Sequence, residues 1–94
     1  MAARVLRLST RFRRRVEDLG VLTGSPAYHA VSAAMRALAV ADLPGPMGFE
    51  TRFSPGRAFV RRVTGQNLWI LYRFSDDHLF IMTTRGHPPV PVDA

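Results

Sequence analysis

The spacing of apolar residues changes from a helical period to an alternating one midway along the chain. Val5–Leu8 predicts a short strand at the start. A helix is expected next, since Ser9 or Thr10 can cap it and Gly20 can end it. Its apolar residues recur every three or four positions: Phe12, Val16 and Leu19. Its opposite side is polar and predicts a solvated face: Arg11, Arg14, Arg15 and Asp18.

A second helix is predicted to begin at Ser25, a capping residue, with Pro26 in the first turn. Proline suits that position because its missing N–H would have no partner inside the helix. The helix is expected to continue to about Ala41. Its apolar stripe consists of Tyr28, Val31, Met35 and Leu38. The two helices together predict a helical hairpin.

Leu43–Gly48 contains two prolines and two glycines, and this composition forbids a continued helix. Beyond it the apolar period is two, which is typical of strands. The predicted strands are Phe49–Phe53, Phe59–Val63, Leu68–Phe74 and Leu79–Thr84, and a turn is expected at Ser54-Pro55-Gly56. The tail from about residue 88 is rich in proline and should be extended. The sequence therefore predicts one α+β domain over residues 1–94, with the helical hairpin packed on a small twisted antiparallel β-sheet.

The predicted turns fix the register of the strands and so sort their side chains between two faces. A turn at Gly65-Gln66 sets Arg62 opposite Trp69, and a turn at residues 75–78 sets Arg73 opposite Phe80. The face for the helices to cover then holds Phe59, Ile70, Tyr72, Phe74, Leu79 and Ile81. The other face, expected to be open, holds Val60, Arg62, Trp69, Leu71, Arg73, Phe80, Met82 and Thr84.

The net charge of the chain indicates which classes of partner it is expected to bind. All 13 basic residues are arginine, and the net charge is +6. This indicates a nucleic acid or an acidic protein as partner more than a membrane surface, because no apolar run approaches the ~20 residues that span a bilayer. Codon usage in a G+C-rich genome is an alternative reason for the missing lysine, although it does not explain where the arginines lie. We expect a cytoplasmic protein.

The chain has no cysteine and three scattered histidines, so we expect no disulfide, no metal site and no cofactor. Arginines around an indole on an open sheet face fit RNA, since guanidinium groups hold phosphates and a base stacks on the ring. This hypothesis assigns RNA binding to Arg62, Trp69, Arg73 and Arg85. The alternative is that these arginines lie over an apolar patch that another protein covers.

Nearly the whole chain resembles the RelE/ParE superfamily of bacterial toxins. The resemblance rests on the helical hairpin from Phe12 to Ala41, the block FVRRVTGQNLWILYRFSDDHLFIMTT (Phe59 to Thr84) and the segment RGH that follows it. It implies the toxin of a toxin–antitoxin pair, bound and neutralised by a small antitoxin. RelE-like members cut mRNA on the ribosome without a metal, by attack of a ribose 2′-hydroxyl on the adjacent phosphate, and so inhibit translation. ParE-like members instead poison DNA gyrase.

The resemblance also implies roles for individual residues. Arg62 matches a basic residue on the second core strand, and His87 and Arg85 lie in the tail segment that nucleases use. Trp69 departs from the pattern, because RelE-like enzymes have an arginine there that contacts the scissile phosphate. Arg73 is a candidate substitute.

Proton transfer in metal-free cleavage needs an acid and a base. His87 is the best candidate because a free histidine titrates near neutrality, although a surface histidine in a loop is the plainer interpretation. Asp93 lies near the position of a tyrosine in many nucleases. His78 and His29 are interpreted as a turn residue and a helix-surface residue. Arg61 should point toward the helices or meet an antitoxin.

Three functions therefore remain open from the sequence. The first is a ribosome-dependent endoribonuclease in which the catalytic residues His87, Arg62, Arg73 and Arg85 converge at one end of an open sheet. The second is a non-enzymatic inhibitor of DNA gyrase, favoured by the missing strand arginine. The third is an RNA- or protein-binding module without toxicity.

Overall fold

The computed structural model describes residues 3–41, 43, 49–53 and 56–87. The chain is α+β, as the sequence predicts. Most of the proline-rich connector, Ser54-Pro55 of the predicted turn and the tail from residue 88 lie outside the described residues. The elements in chain order are β1 (Val5–Leu8), α1 (Thr10–Asp18), α2 (Pro26–Val40), β2 (Phe49–Phe53), β3 (Gly56–Arg62), β4 (Trp69–Phe74) and β5 (His78–Arg85).

Helix α1 begins and ends where the sequence predicts. The Ser9 hydroxyl accepts a hydrogen bond from the Phe12 amide at 3.0 Å and so caps the first turn. Gly20 ends the helix at a φ of 71°, a left-handed conformation that suits glycine. The amides of Gly20 and Val21 then bond back to the last turn, which satisfies two carbonyl groups that the helix leaves open.

Helix α2 is capped by Ser25, with Pro26 in the first turn, and both predictions are confirmed. Its buried stripe includes three of the four predicted residues: Val31, Met35 and Leu38. The prediction for Tyr28 is wrong, since this side chain is 37% exposed. Tyr28 lies in the first turn, where its ring meets that of His29 edge-on instead of entering the core.

The five strands form one sheet in the order β1-β5-β4-β3-β2. Neighbouring strands from β2 to β5 are antiparallel, but β1 runs parallel to β5. The prediction of an antiparallel sheet is therefore wrong for β1, and the sheet is mixed. Both helices and three strands lie between β1 and β5 in the chain. No hairpin turn joins these two strands, so they need not be antiparallel.

Both helices contribute to one core on one face of the sheet, and the predicted inner face is confirmed. Ile70, Leu79 and Ile81 are fully buried there, and Phe59 and Phe74 pack at the margin. Tyr72 is also buried, and this burial raises the pKa of its hydroxyl, whereas the nearby guanidinium groups of Arg61 and Arg4 lower it.

A β-bulge in β5 changes the register that the sequence predicts. Tyr72 pairs with Ile81 but Leu71 pairs with Thr83, so Met82 is an extra residue on β5. The extra residue reverses the alternation of faces after it. Thr84 therefore turns toward the helices and is fully buried, and its predicted place on the other face is wrong. Arg85 takes that place instead, directly opposite Trp69.

Ser9 links α1 to this bulge. Its amide donates to the Ile81 carbonyl at 3.0 Å, and its hydroxyl donates to the carbonyl of Met82. The same hydroxyl accepts from Phe12, so a single side chain caps the helix and satisfies a carbonyl of the bulge.

We expect Ser9→Ala to destabilise the protein by about 1–2 kcal/mol, because it removes a helix cap and the hydrogen bond to the Met82 carbonyl. Urea unfolding at equilibrium measures the loss. Ser25→Ala is the matched control, since the Ser25 hydroxyl caps α2 by accepting a hydrogen bond from the Tyr28 amide. It should cost only about 0.5–1 kcal/mol. Equal losses would show that the bond to Met82 adds nothing.

Candidate functional site

Three predicted site residues form a row across the sheet. Arg62 on β3 pairs with Trp69 on β4, and Trp69 pairs with Arg85 on β5. All three lie on the face opposite the helices, which we call the outer face. Without the bulge in β5, Thr84 would take the position beside Trp69, so the row depends on the extra residue Met82.

The first arginine of the row is held against the indole. The guanidinium carbon of Arg62 lies 5.7 Å from the centre of the Trp69 ring, within the range of a cation–π interaction. The Arg62 side chain is nevertheless exposed, so its donors can still reach a ligand. This contact orients the guanidinium group before a ligand binds. The binding free energy then does not have to offset the entropy lost in ordering this side chain.

The second arginine is bonded to the predicted catalytic histidine. Arg85 Nη2 lies 2.7 Å from His87 Nε2. A guanidinium group can only donate hydrogen bonds, so Nε2 is the acceptor in this contact. The His87 side chain is exposed, and Arg85 is half-buried.

Asn67 holds the segment between Arg85 and His87 in place. Its side-chain nitrogen donates to the Gly86 carbonyl at 3.1 Å. Asn67 lies in the turn between β3 and β4, which closes with bonds between Val63 and Leu68 and between Gln66 and Val63. The turn next to Arg62 is thereby linked to the end of β5. We call Arg62, Arg85 and His87 the arginine–histidine cluster.

This cluster combines two kinds of chemistry. Arg62 and Arg85 carry cationic forks that match the oxygens of a phosphate. His87 supplies an imidazole, whose ring nitrogens can accept and donate protons. The described residues contain no group of three or more histidine, cysteine, aspartate or glutamate side chains that could hold a metal ion.

Trp69 does not offer the open ring that the sequence predicts. The side chain is 9% exposed and belongs to a second buried cluster with Ala58, Val60 and Leu71. The prediction of an open face is therefore wrong for Trp69 and for the residues buried with it. Alternation of side chains indicates which face a residue takes, but it carries no information on what covers that face.

Arg73 does not join the cluster. It lies four residues from Trp69 along β4, a distance of about 13 Å, and pairs with Phe80. The predicted convergence of four residues at one end of the sheet is thus wrong for Arg73. At the other end Arg62 and Arg85 flank Trp69, and His87 contacts Arg85. The side chain of Arg73 follows the predicted face, but at the opposite end of the strand.

The remaining candidates lie apart from the cluster. Arg61 lies on the helix side, as predicted, and lines a pocket of about 240 Å³ beside four alanines of α2. His29 is exposed on α2, and His78 begins β5. Asp93 lies outside the described residues.

Sequence reasoning missed two residues that the fold uses. Asn67 positions the segment that contains His87. The only feature of the sequence that points to Asn67 is its place in a predicted turn. Arg7 lies beside Phe80 on the outer face because β1 pairs with β5. The alternation of Val5–Leu8 placed Arg7 on one face of a strand, but a single strand gives no indication of its neighbour.

The chain matches no protein-family model and no curated protein sequence. The resemblance to the RelE/ParE superfamily therefore stays a prediction. Neither helix in the described part of the chain is long and apolar enough to cross a membrane.

We expect acrylamide to quench the fluorescence of Trp69 several-fold less in the folded protein than in the urea-unfolded chain. Trp69 is the only tryptophan, so the emission reports this position alone. Acrylamide is neutral, and the arginines therefore do not attract it as they would attract iodide. Equal quenching in both states would contradict the burial of this ring.

Proposed function

We propose that this chain is the toxin of a toxin–antitoxin pair and cleaves mRNA on the ribosome without a metal ion. The order of strand, two helices and an antiparallel meander supports a RelE/ParE-like fold. The observation that carries the proposal is the hydrogen bond between Arg85 and His87, in line with Arg62 across the sheet. The toxin would act in the cytoplasm, where mRNA is translated.

The proposed reaction needs a base that removes a proton from the 2′-hydroxyl group and an acid that gives a proton to the leaving 5′-oxygen. The ribose 2′-oxygen attacks the adjacent phosphorus, loses its proton and forms a 2′,3′-cyclic phosphate, while the 5′-oxygen leaves and gains a proton. Arg62 and Arg85 would hold the phosphate and stabilise the charge that builds up on it. His87 would transfer a proton, since the Nε2 lone pair becomes free when Arg85 turns to the phosphate.

Inhibition of DNA gyrase is the second candidate function. Two observations favour it. Trp69 stands where RelE-like enzymes carry an arginine, and the indole is buried. The cluster also contains a single acid–base side chain, the imidazole of His87. A basic surface without the full catalytic set would suit a protein that binds and does not cleave.

We expect His87→Gln to slow mRNA cleavage by about 10²–10⁴-fold, the usual contribution of an acid or base. Glutamine keeps the hydrogen-bonding capacity of the side chain but cannot carry a proton near neutral pH. Cleavage is measured by primer extension on mRNA in a reconstituted translation reaction. His29→Gln is the matched control, because His29 is exposed on α2 away from the cluster, and it should leave the rate unchanged.

Ribosome binding by the His87→Gln protein should equal that of the wild type, since both arginines remain. Full cleavage by His87→Gln would remove His87 from the reaction. If the wild type cleaves no mRNA but inhibits supercoiling by gyrase, the second candidate function replaces the first. If it does neither, the chain is a binding module without toxicity.

We also propose an acidic antitoxin as the partner, on the basis of the net charge of +6. Arg61 at the edge of the alanine-lined pocket is one guanidinium that a partner carboxylate could meet. The association rate of such a complex should fall steeply as salt rises from about 0.01 to 0.15 M, because the Debye length shrinks from about 30 to 8 Å. Stopped-flow mixing measures this rate. A rate that is constant across the range would contradict electrostatic steering.

A further inference from the structure

A second aromatic side chain lies on the outer face, and unlike Trp69 it is accessible. Phe80 on β5 is 38% exposed, whereas Trp69 is 9% exposed. The two rings lie near opposite ends of the same face, because Phe80 pairs with Arg73 and Trp69 pairs with Arg85. Among the side chains that the structure describes on the outer face, Phe80 is therefore the aromatic one open to a ligand.

The neighbours of Phe80 are aromatic and cationic. The imidazole of His78 lies two residues before it on the same face, with ring centres 5.7 Å apart and an angle of 20° between the planes. Arg7 pairs with Phe80 from β1, and its side chain is exposed. Arg73 is the neighbour on β4. We call Phe80, His78 and Arg7 the Phe80 platform.

We infer that the Phe80 platform binds single-stranded nucleic acid, with a base stacked on the rings and the adjoining phosphate held by Arg7. The rings of Phe80 and His78 are stacked on each other, and any base can extend such a stack on an exposed ring face. The exposed guanidinium group of Arg7 supplies the complementary charge at the side of this surface. An acidic protein segment would use the arginine, but it would gain nothing specific from parallel rings.

The platform is distinct from the arginine–histidine cluster. Phe80 and Arg85 lie five residues apart on β5, about 17 Å along the strand. A nucleic-acid strand that follows β5 can therefore contact both sites. The inference does not require cleavage, and it holds equally for a chain that binds RNA without cutting it.

The direct test is the binding of a fluorescein-labelled oligouridylate of about 12 nucleotides, followed by fluorescence anisotropy. The same oligomer with abasic positions is the comparison, because it keeps the phosphates and lacks the bases. We expect the wild type to bind the oligouridylate at least about 5-fold more tightly than the abasic oligomer. Every protein in this series carries His87→Gln, so that cleavage does not enter the measurement, and "wild type" in this series denotes the protein with that one substitution.

Phe80→Leu should abolish this preference, since leucine keeps the apolar volume and has no ring to stack on. Tyr28→Leu is the matched control, because Tyr28 is 37% exposed and also lies beside a histidine ring, but edge-on and on α2. It should bind as the wild type does. Thermal unfolding of both variants checks that they fold.

Arg7→Gln should weaken the binding of both oligomers and lower the slope of log K against log salt by about 0.7, the value for one phosphate contact on a single strand. Arg36→Gln removes an exposed arginine from α2 and should leave the slope unchanged. Equal binding by Phe80→Leu and the wild type would overturn the inference, and so would equal binding of the two oligomers.

Competition with polyglutamate tests whether the surface binds acidic protein instead of nucleic acid. If it displaces the oligouridylate as effectively as unlabelled oligouridylate does at equal charge, the surface binds acidic protein and the inference is wrong. Failure of these binding experiments leaves the His87 experiment on the ribosome unaffected, since that assay measures cleavage through the other site.

Discussion

The contact between Ser9 and the bulged part of β5 is the constraint on which the described fold depends. Strand β5 connects several elements, because β1 pairs with it on one side, β4 pairs with it on the other, and α1 packs over it. Ser9 lies where β1 ends and α1 begins, and it bonds to the carbonyls of Ile81 and Met82. It thereby fixes how the chain leaves the sheet and satisfies a carbonyl at the irregular point of β5.

The bulge in turn decides what the outer face offers to a partner. The extra residue Met82 turns Thr84 into the core and brings Arg85 beside Trp69, within reach of His87. Before the bulge, the same strand presents Phe80 and His78 on this face. One strand therefore carries two different surfaces, and a single inserted residue keeps both on the same side of the sheet.

Much of this architecture could be predicted from the sequence. Both helices, their caps and the five strands follow from local signals such as Ser9, Ser25 and Gly20, and the register at Arg62 follows from a tight turn. The bulge, the pairing of β1 with β5 and the burial of Trp69 could not be predicted. Each depends on contacts between segments far apart in the chain, which alternation within one strand does not encode.

The central claim is that the cluster of Arg62, Arg85 and His87 cleaves RNA by attack of a 2′-hydroxyl group. The chemistry of the new RNA ends tests it most directly, in a translation reaction with purified ribosomes and the wild-type chain. The account predicts upstream fragments that end in a 2′,3′-cyclic phosphate and downstream fragments that begin with a 5′-hydroxyl, ligatable only after treatment with a polynucleotide kinase. Downstream fragments that begin with a 5′-phosphate, or intact mRNA, would contradict it.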